Sequence, residues 1–206
     1  MFDAYVAFWA RVKPHELALS MLGPGITYAQ FNRDIDRFAV GLEALGLPSR
    51  GGVGVRLPSP YAHWLTVMAL VRLRVASASI PLCDAVACDV VAAVRPSLLV
   101  TDIDATHATR VVILSPDWIT AILRGERALV AERSFDADGI GRISTSSGTN
   151  GAPKAMAVSW RMIIKRSQRR ALLDRSLGDT ALALAGNDIE VIDPAGTPCA
   201  RGLKAK

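Results

Sequence analysis

The spacing of apolar positions changes repeatedly along the chain, and each change predicts an element. Phe2, Tyr5, Val6, Phe8 and Trp9 recur at helical spacing, so an amphipathic helix opens the chain, stops before Pro14 and turns its apolar face to the core. Ala18 to Met21 and Ile26 to Tyr28 read as a short strand pair turned by Gly23, Pro24 and Gly25. Thr27 and Gln30 then make a capping-box pattern ahead of Phe31, Ile35, Phe38, Leu42 and Leu45, a helix that Gly46 and Pro48 terminate. Val53 to Leu57 predicts a buried strand, Tyr61 to Arg74 a helix, Ala78 to Leu82 a second strand, Asp84 to Val94 a second helix, and Leu98 to Thr101 a third strand. This rhythm predicts parallel strands joined by right-handed crossovers. Arg110 to Leu114 adds a strand, Ser115 an N-cap, Pro116 a first helical residue, and Asp117 to Leu123 the helix.

Composition narrows the class. Half of the 206 residues are hydrophobic, which fits a globular α/β protein and argues against disorder. The N-terminus lacks the basic-then-apolar order of a secretory leader. The longest apolar run, around Trp64 to Val71, is far short of the roughly 18 residues that a bilayer helix needs, so a soluble cytoplasmic protein is expected. Cys83, Cys88 and Cys199 have no C-x-x-C spacing and read as free, buried thiols. His15, His63 and His107 belong to no visible triad and read as structural or exposed.

One stretch requires a chemical explanation. From Ile143 to Lys154 the chain reads ISTSSGTNGAPK, in which Thr145, Ser146 and Ser147 lead into Gly148, Thr149, Asn150 and Gly151 and the segment closes on Pro153 and Lys154. Glycines let the backbone approach a ligand so that successive N–H groups converge on an anion. The hydroxyls add neutral donors, and Lys154 adds a point charge on a flexible stem. Such a loop suits phosphate, although Ser/Thr/Gly/Asn clusters are also common as plain surface loops. It is not a Walker A loop. There the lysine follows a glycine and opens a helix, whereas Lys154 follows Pro153 and enters Ala155 to Val158, which reads as a strand. The segment therefore links two strands.

Thr145 to Lys154 resembles the signature phosphate loop of the acyl-adenylate-forming superfamily (acyl-CoA synthetases, luciferases, adenylation domains of peptide synthetases), T-S-G-[ST]-[ST]-G-x-P-K, with Asn150 as the departure. Further pieces resemble the N-terminal region of that family. Ile26 to Phe31 with the helix to Leu45 and Gly46 looks like its opening, Val53 to Pro58 like its strand and proline-marked loop, and Arg95 to Asp102 like a later strand entry. The family's usual lysine-alanine-glycine is replaced by Arg72, Leu73 and Arg74, and Trp160 stands where a histidine is common.

The resemblance implies an α/β fold, a parallel-rich layered sheet flanked by helices, as in the N-terminal lobe of an adenylate-forming enzyme. It implies residues 1–178 as that lobe and 179–206 as a partial hairpin segment and tail. It also implies that Thr145, Ser146, Ser147, Gly148, Thr149, Asn150, Gly151 and Lys154 bind nucleotide phosphates. ATP and Mg2+ are the implied cofactors, with a carboxylic acid and coenzyme A as substrates in intact relatives.

After the loop, Ser159 caps a predicted helix through Ser176 with Ile163, Ile164, Ala171 and Leu172 as its apolar stripe. Arg161, Lys165, Arg166, Arg169, Arg170 and Arg175 stand there against Asp174, equal to the chain's net charge of +5. Clustered cations could attract nucleic acid, but without interleaved aromatics the stripe reads as a solvated face. Asn187 to Gly202 reads as a strand, an AspProAlaGly turn and a second strand, and resembles a hairpin that lies much further from the phosphate loop in the family. The family's adenine, ribose and C-terminal lysine motifs have no match. A shortened adenylate-forming protein that binds nucleotide without full catalysis is the reading this favours. A noncatalytic module whose protein partner covers the missing lobe is the alternative.

Overall fold

The computed structural model describes residues 2–20, 25–48, 51–103, 110–126, 130–131, 133–146, 153–174, 181–185 and 188–192. Helix α1 (Phe2–Val12) opens the chain. Strands β1 (Leu17–Leu19) and β2 (Ile26–Thr27) pair antiparallel ahead of α2 (Tyr28–Ala44). The capping pattern forms as expected, with Thr27 Oγ1 accepting from the Gln30 N–H at 3.2 Å. The alternation that follows is β3 (Val53–Arg56), α3 (Pro60–Arg72), β4 (Ser77–Ser79), α4 (Asp84–Val94), β5 (Leu98–Thr101), β6 (Val111–Ile113) and α5 (Pro116–Arg124). Ser59 and Ser115 cap α3 and α5, each with proline in the first turn. Beyond these come β7 (Ile140–Ser146), β8 (Lys154–Ser159) and α6 (Trp160–Asp174).

The main sheet has the order β6-β5-β3-β4-β7-β8. Its first five strands are parallel, and β8 turns back antiparallel on β7. Both faces of the inner strands are apolar, as a sheet covered on two sides requires. On one face Val53, Val55, Leu98 and Val100 pack with Ile35, Phe38 and Leu42 of α2 and Leu65 and Leu70 of α3. On the other, Ala78, Ile80 and Leu99 pack with Ala87, Val90, Val91 and Val94, all on α4.

Two expectations need correction. The apolar side of α1 is not all core: Tyr5 is 60% exposed and Phe8 45%, while Val6 packs against the interior. Polar ties help to hold this helix. Asp3 pairs with Arg74 at 2.9 Å, and Arg72, which donates to the Asp3 carbonyl, also pairs with Asp36 of α2. Cys83 is exposed and Cys88 half-buried, because Cys83 precedes α4 at the rim of the sheet. In the tail, β10 (Asp188–Ile192) forms where a strand was expected and pairs antiparallel with β9 (Ala181–Ala185), a strand that the sequence reading did not include. The AspProAlaGly turn and the strand expected after it lie outside the described residues.

Arg72, Leu73 and Arg74 occupy the turn after α3. Arg74 takes φ 57, the left-handed region that glycine adopts most readily. The ion pair to Asp3 and a cation–π contact with Phe135 at 5.7 Å hold the arginine there.

Candidate functional site

Strand β7 carries the sequence IGRISTS, and its pairing fixes which side chains share a face. Arg142 is level with Ser77 of β4 on one side and Val158 of β8 on the other. By strand alternation Arg142, Ser144 and Ser146 share one face, while Ile143 and Thr145 take the opposite one. Ile143 accordingly packs with the α4 cluster. At the far end Thr145 is level with Ala155 and Ser146 with Lys154. Cross-strand partners stand about 5 Å apart at Cβ, so the Ser146 hydroxyl and the Lys154 stem emerge side by side.

Of the eight expected phosphate ligands, the structure therefore locates Thr145 and Ser146, both half-buried, and Lys154, which is exposed. Ser147, Gly148, Thr149, Asn150 and Gly151 lie outside the described residues. The segment joins two antiparallel strands, as expected for a loop that is not Walker A. It also leaves the C-terminal end of a strand parallel to β4, the edge where open α/β sheets bind ligands. The β4–α4 turn borders the same edge. Arg56 pins it by donating to the carbonyls of Pro81 (3.2 Å) and Leu82 (2.7 Å) and by pairing with Asp84.

A second polar cluster lies further back on the Arg142 face. The Arg142 guanidinium donates to Ser77 Oγ at 3.1 Å and to Ser79 Oγ at 2.5 Å. His63 of α3 shares a hydrogen bond between Nε2 and Ser79 Oγ at 2.9 Å. Burial, and secondarily the charge of Arg142, pushes the His63 pKa down to about 4, so the ring is neutral at pH 7. Burial also lowers the Arg142 pKa to about 10. His63 is thus structural, as expected. Arg142, Ser77 and Ser79 did not stand out in the sequence, yet a signal was present: an arginine between Gly141 and Ile143 in an alternating strand, and serines at every second position of another.

Trp160 is 4% exposed and lies against Gly141, where a Cβ would come within 2.4 Å of the indole. The β7–β8 register shifts between Ile140 and Arg142, so Gly141 sits at a bulge. The Ser159 hydroxyl accepts from the Met162 N–H at 3.3 Å as the α6 cap, as expected. The basic face of α6 is partly neutralised: Arg161 grips Asp138 through two hydrogen bonds of 2.7 and 2.8 Å, and Lys165 and Arg166 are exposed. Among the described residues no group of three or more His, Cys, Asp or Glu could hold a metal, and no helix is long and apolar enough to cross a membrane.

The sequence model of the AMP-binding enzyme family matches residues 6–185. No curated protein matches the chain. Among solved structures, the N-terminal subdomain of NpsA from Klebsiella oxytoca in complex with 3-hydroxyanthranilyl-AMSN superposes with a TM-score of 0.65 at 19% identity, covering 77% of this chain and 40% of that one. The o-succinylbenzoate coenzyme A synthetase of Bacillus subtilis in complex with AMP superposes with a TM-score of 0.68 at 16% identity, covering 84% of this chain and 46% of that one. At these identities the likeness is one of fold: the mostly parallel α/β sheet of an N-terminal adenylation subdomain. The chain spans less than half the length of either structure.

Proposed function

We propose, because this chain belongs to the AMP-binding enzyme family, that the loop between β7 and β8 binds the β- and γ-phosphates of ATP or the equivalent pyrophosphate. The observation that carries this is the placement of Lys154 beside Ser146 at the ligand-binding edge of the sheet. An exposed ammonium next to a hydroxyl, at the base of a segment rich in glycine and threonine, supplies charge and directed donors to phosphate oxygens. Thr145, Ser146 and Lys154 would line its described rim, with Ser147, Gly148, Thr149, Asn150 and Gly151 completing it. These donors suit a polyphosphate. They do not form a Mg2+ site, since hydroxyls and an amine are no carboxylate set, and no step here is assigned to the metal.

The reaction class in which such a loop takes part is adenylation of a carboxylic acid with release of pyrophosphate, followed in some enzymes by transfer to coenzyme A. Catalysis of that kind depends on positioning and charge stabilisation from both sides of the nucleotide. These 206 residues, less than half the length of the structures they resemble, supply one side. They bind nucleotide weakly and do not adenylate by themselves. Titration of ATP and pyrophosphate into wild type, Lys154→Ala and Gly148→Val tests the binding, with affinity expected to fall about tenfold on loss of the lysine. Equal affinity in all three proteins removes the phosphate-loop assignment. ATP–pyrophosphate exchange above background with any of a panel of carboxylic acids overturns the second part.

Exposed Ile140, Met156 and Met162 around the hairpin and the start of α6 favour a second reading, a module whose partner covers this apolar surface. Light scattering with and without a polypeptide supplying the rest of an adenylation enzyme distinguishes the two. A monomer that ignores the added lobe counts against the module.

A further inference from the structure

Helix α1 reverses the usual arrangement of a helix at a protein surface, which turns charged residues toward water. Its exposed residues are Ala4, Tyr5, Ala7, Phe8, Arg11 and Val12, whereas its one acid, Asp3, is buried and paired with Arg74. Tyr5, Phe8 and Val12 follow at steps of three and four, so they line one side of the helix. Trp9 meets the rings of Tyr5 and Phe8 edge-on at 6.0 and 5.3 Å and joins them into one cluster. We propose that this side of α1 docks on an anionic lipid bilayer, with the helix lying in the headgroup region. Its 11 residues span about 16 Å and do not cross the hydrocarbon core, which is about 30 Å thick.

Charge identifies the partner. The aspartates of α1 and α2 all turn inward: Asp3, Asp34 and Asp36 are buried and paired with Arg74, Arg37 and Arg72. The exposed acids that follow, Glu16 and Glu43, are paired with Lys13 and Arg133. Arg11 on α1 and Arg33 on α2 stand exposed. The Arg11 guanidinium lies over the Phe8 ring at 5.9 Å and the Lys13 ammonium over the Trp9 ring at 5.4 Å, so cations rim the apolar cluster. Aromatic rings below and cations at their edge match acyl chains below and lipid phosphates above.

Shape excludes the other occupants. From Tyr5 to Val12 the stripe is about 10 Å long on one convex helix, much less than the roughly 800 Å² per partner of a specific protein interface. A second copy would also bring Arg11 against the same excess of positive charge. A bilayer is deformable and needs no complementary groove.

Flotation of the full chain with vesicles tests this, using phosphatidylcholine alone and equal parts of phosphatidylcholine and phosphatidylglycerol. Wild type should float with the anionic vesicles only, and added salt should weaken the binding. Arg11→Glu should bind about tenfold more weakly, and Phe8→Ser should not float. Val12→Ser, a smaller change made in case Phe8→Ser does not fold, should weaken binding. Lys154→Ala and Met156→Ser should float like wild type, because the phosphate loop and the open hairpin play no part. The proposal is overturned if wild type does not float, if it floats equally with both compositions, or if Val12→Ser and Arg11→Glu change nothing. Loss of flotation in Lys154→Ala or Met156→Ser also overturns it, by assigning the binding to the loop or the hairpin. So does a dimer, seen by light scattering of wild type without vesicles, that Val12→Ser dissociates, since the face would then belong to a second copy.

Discussion

Strands β3 and β5 run side by side through four register pairs, from Val53–Leu98 to Arg56–Thr101, whereas β4 and β7 meet at the single pair Ser77–Arg142. On the inner side of that seam Val53, Val55 and Val100 are sealed between helices; on the outer side Ile140 and Met156 are about half exposed. Adhesion in the first region comes from apolar area, which is strong and indifferent to pH. At the seam it comes from a guanidinium, two hydroxyls and an imidazole, whose hydrogen bonds are directional and depend on protonation. Stability thus concentrates in one part of the sheet, while the phosphate binding proposed for this chain falls where the sheet is least closed.

Substitutions can break that contrast. The largest effect should come from Phe38→Ala, since Phe38 is fully buried and meets Trp118 edge-on at 5.6 Å. A loss of about 4 kcal/mol in urea unfolding is expected, against less than about 0.5 kcal/mol for Met156→Ala on the open hairpin. Comparable losses would show that the two regions are not built differently.

The next effect is one of pH. The folded pKa of His63, about 4, lies below the ordinary 6.5, so the unfolded chain binds the proton first as pH falls. The penalty is absent above pH 6.5 and grows toward pH 4. It reaches at most about 3 kcal/mol, less whatever solvent at the half-buried ring screens. Unfolding followed across that window should show this slope in wild type and lose it in His63→Gln; an equal slope in both would place the titration elsewhere. Ser59→Ala should cost about 1 kcal/mol through the lost cap of α3. Smallest of all, Lys154→Ala should leave the unfolding midpoint nearly unchanged, because its side chain is exposed and makes no recorded contact that holds the fold. A marked drop would mean that the lysine is structural.

The inner region was also the more legible in sequence. Thr27 with Gln30 and Ser115 with Pro116 mark helix starts through local hydrogen bonding, and α4 begins and ends where its apolar spacing does. Long-range juxtapositions were not legible. Arg74 stands where the resembled family has a glycine, but what lets an arginine hold that backbone was not legible, because Asp3 and Phe135 are distant in the chain. The cluster around Arg142 was hidden for the same reason, its members coming from α3, β4 and β7. At the phosphate loop, residue types and spacing were readable, and the structure adds the cross-strand placement of Ser146 and Lys154. In the tail the strand Asp188–Ile192 was legible, whereas its pairing with Ala181–Ala185 was not, because strand propensity does not choose between partners.

Gly141 and Trp160 share a single volume: the indole occupies the space in which a side chain at position 141 would lie. Neither position can gain bulk without the other giving it up. Across generations of sequence drift the two should change in concert, small with large, so that descent leaves a paired signature of how α6 is seated on the strand that leads to the loop.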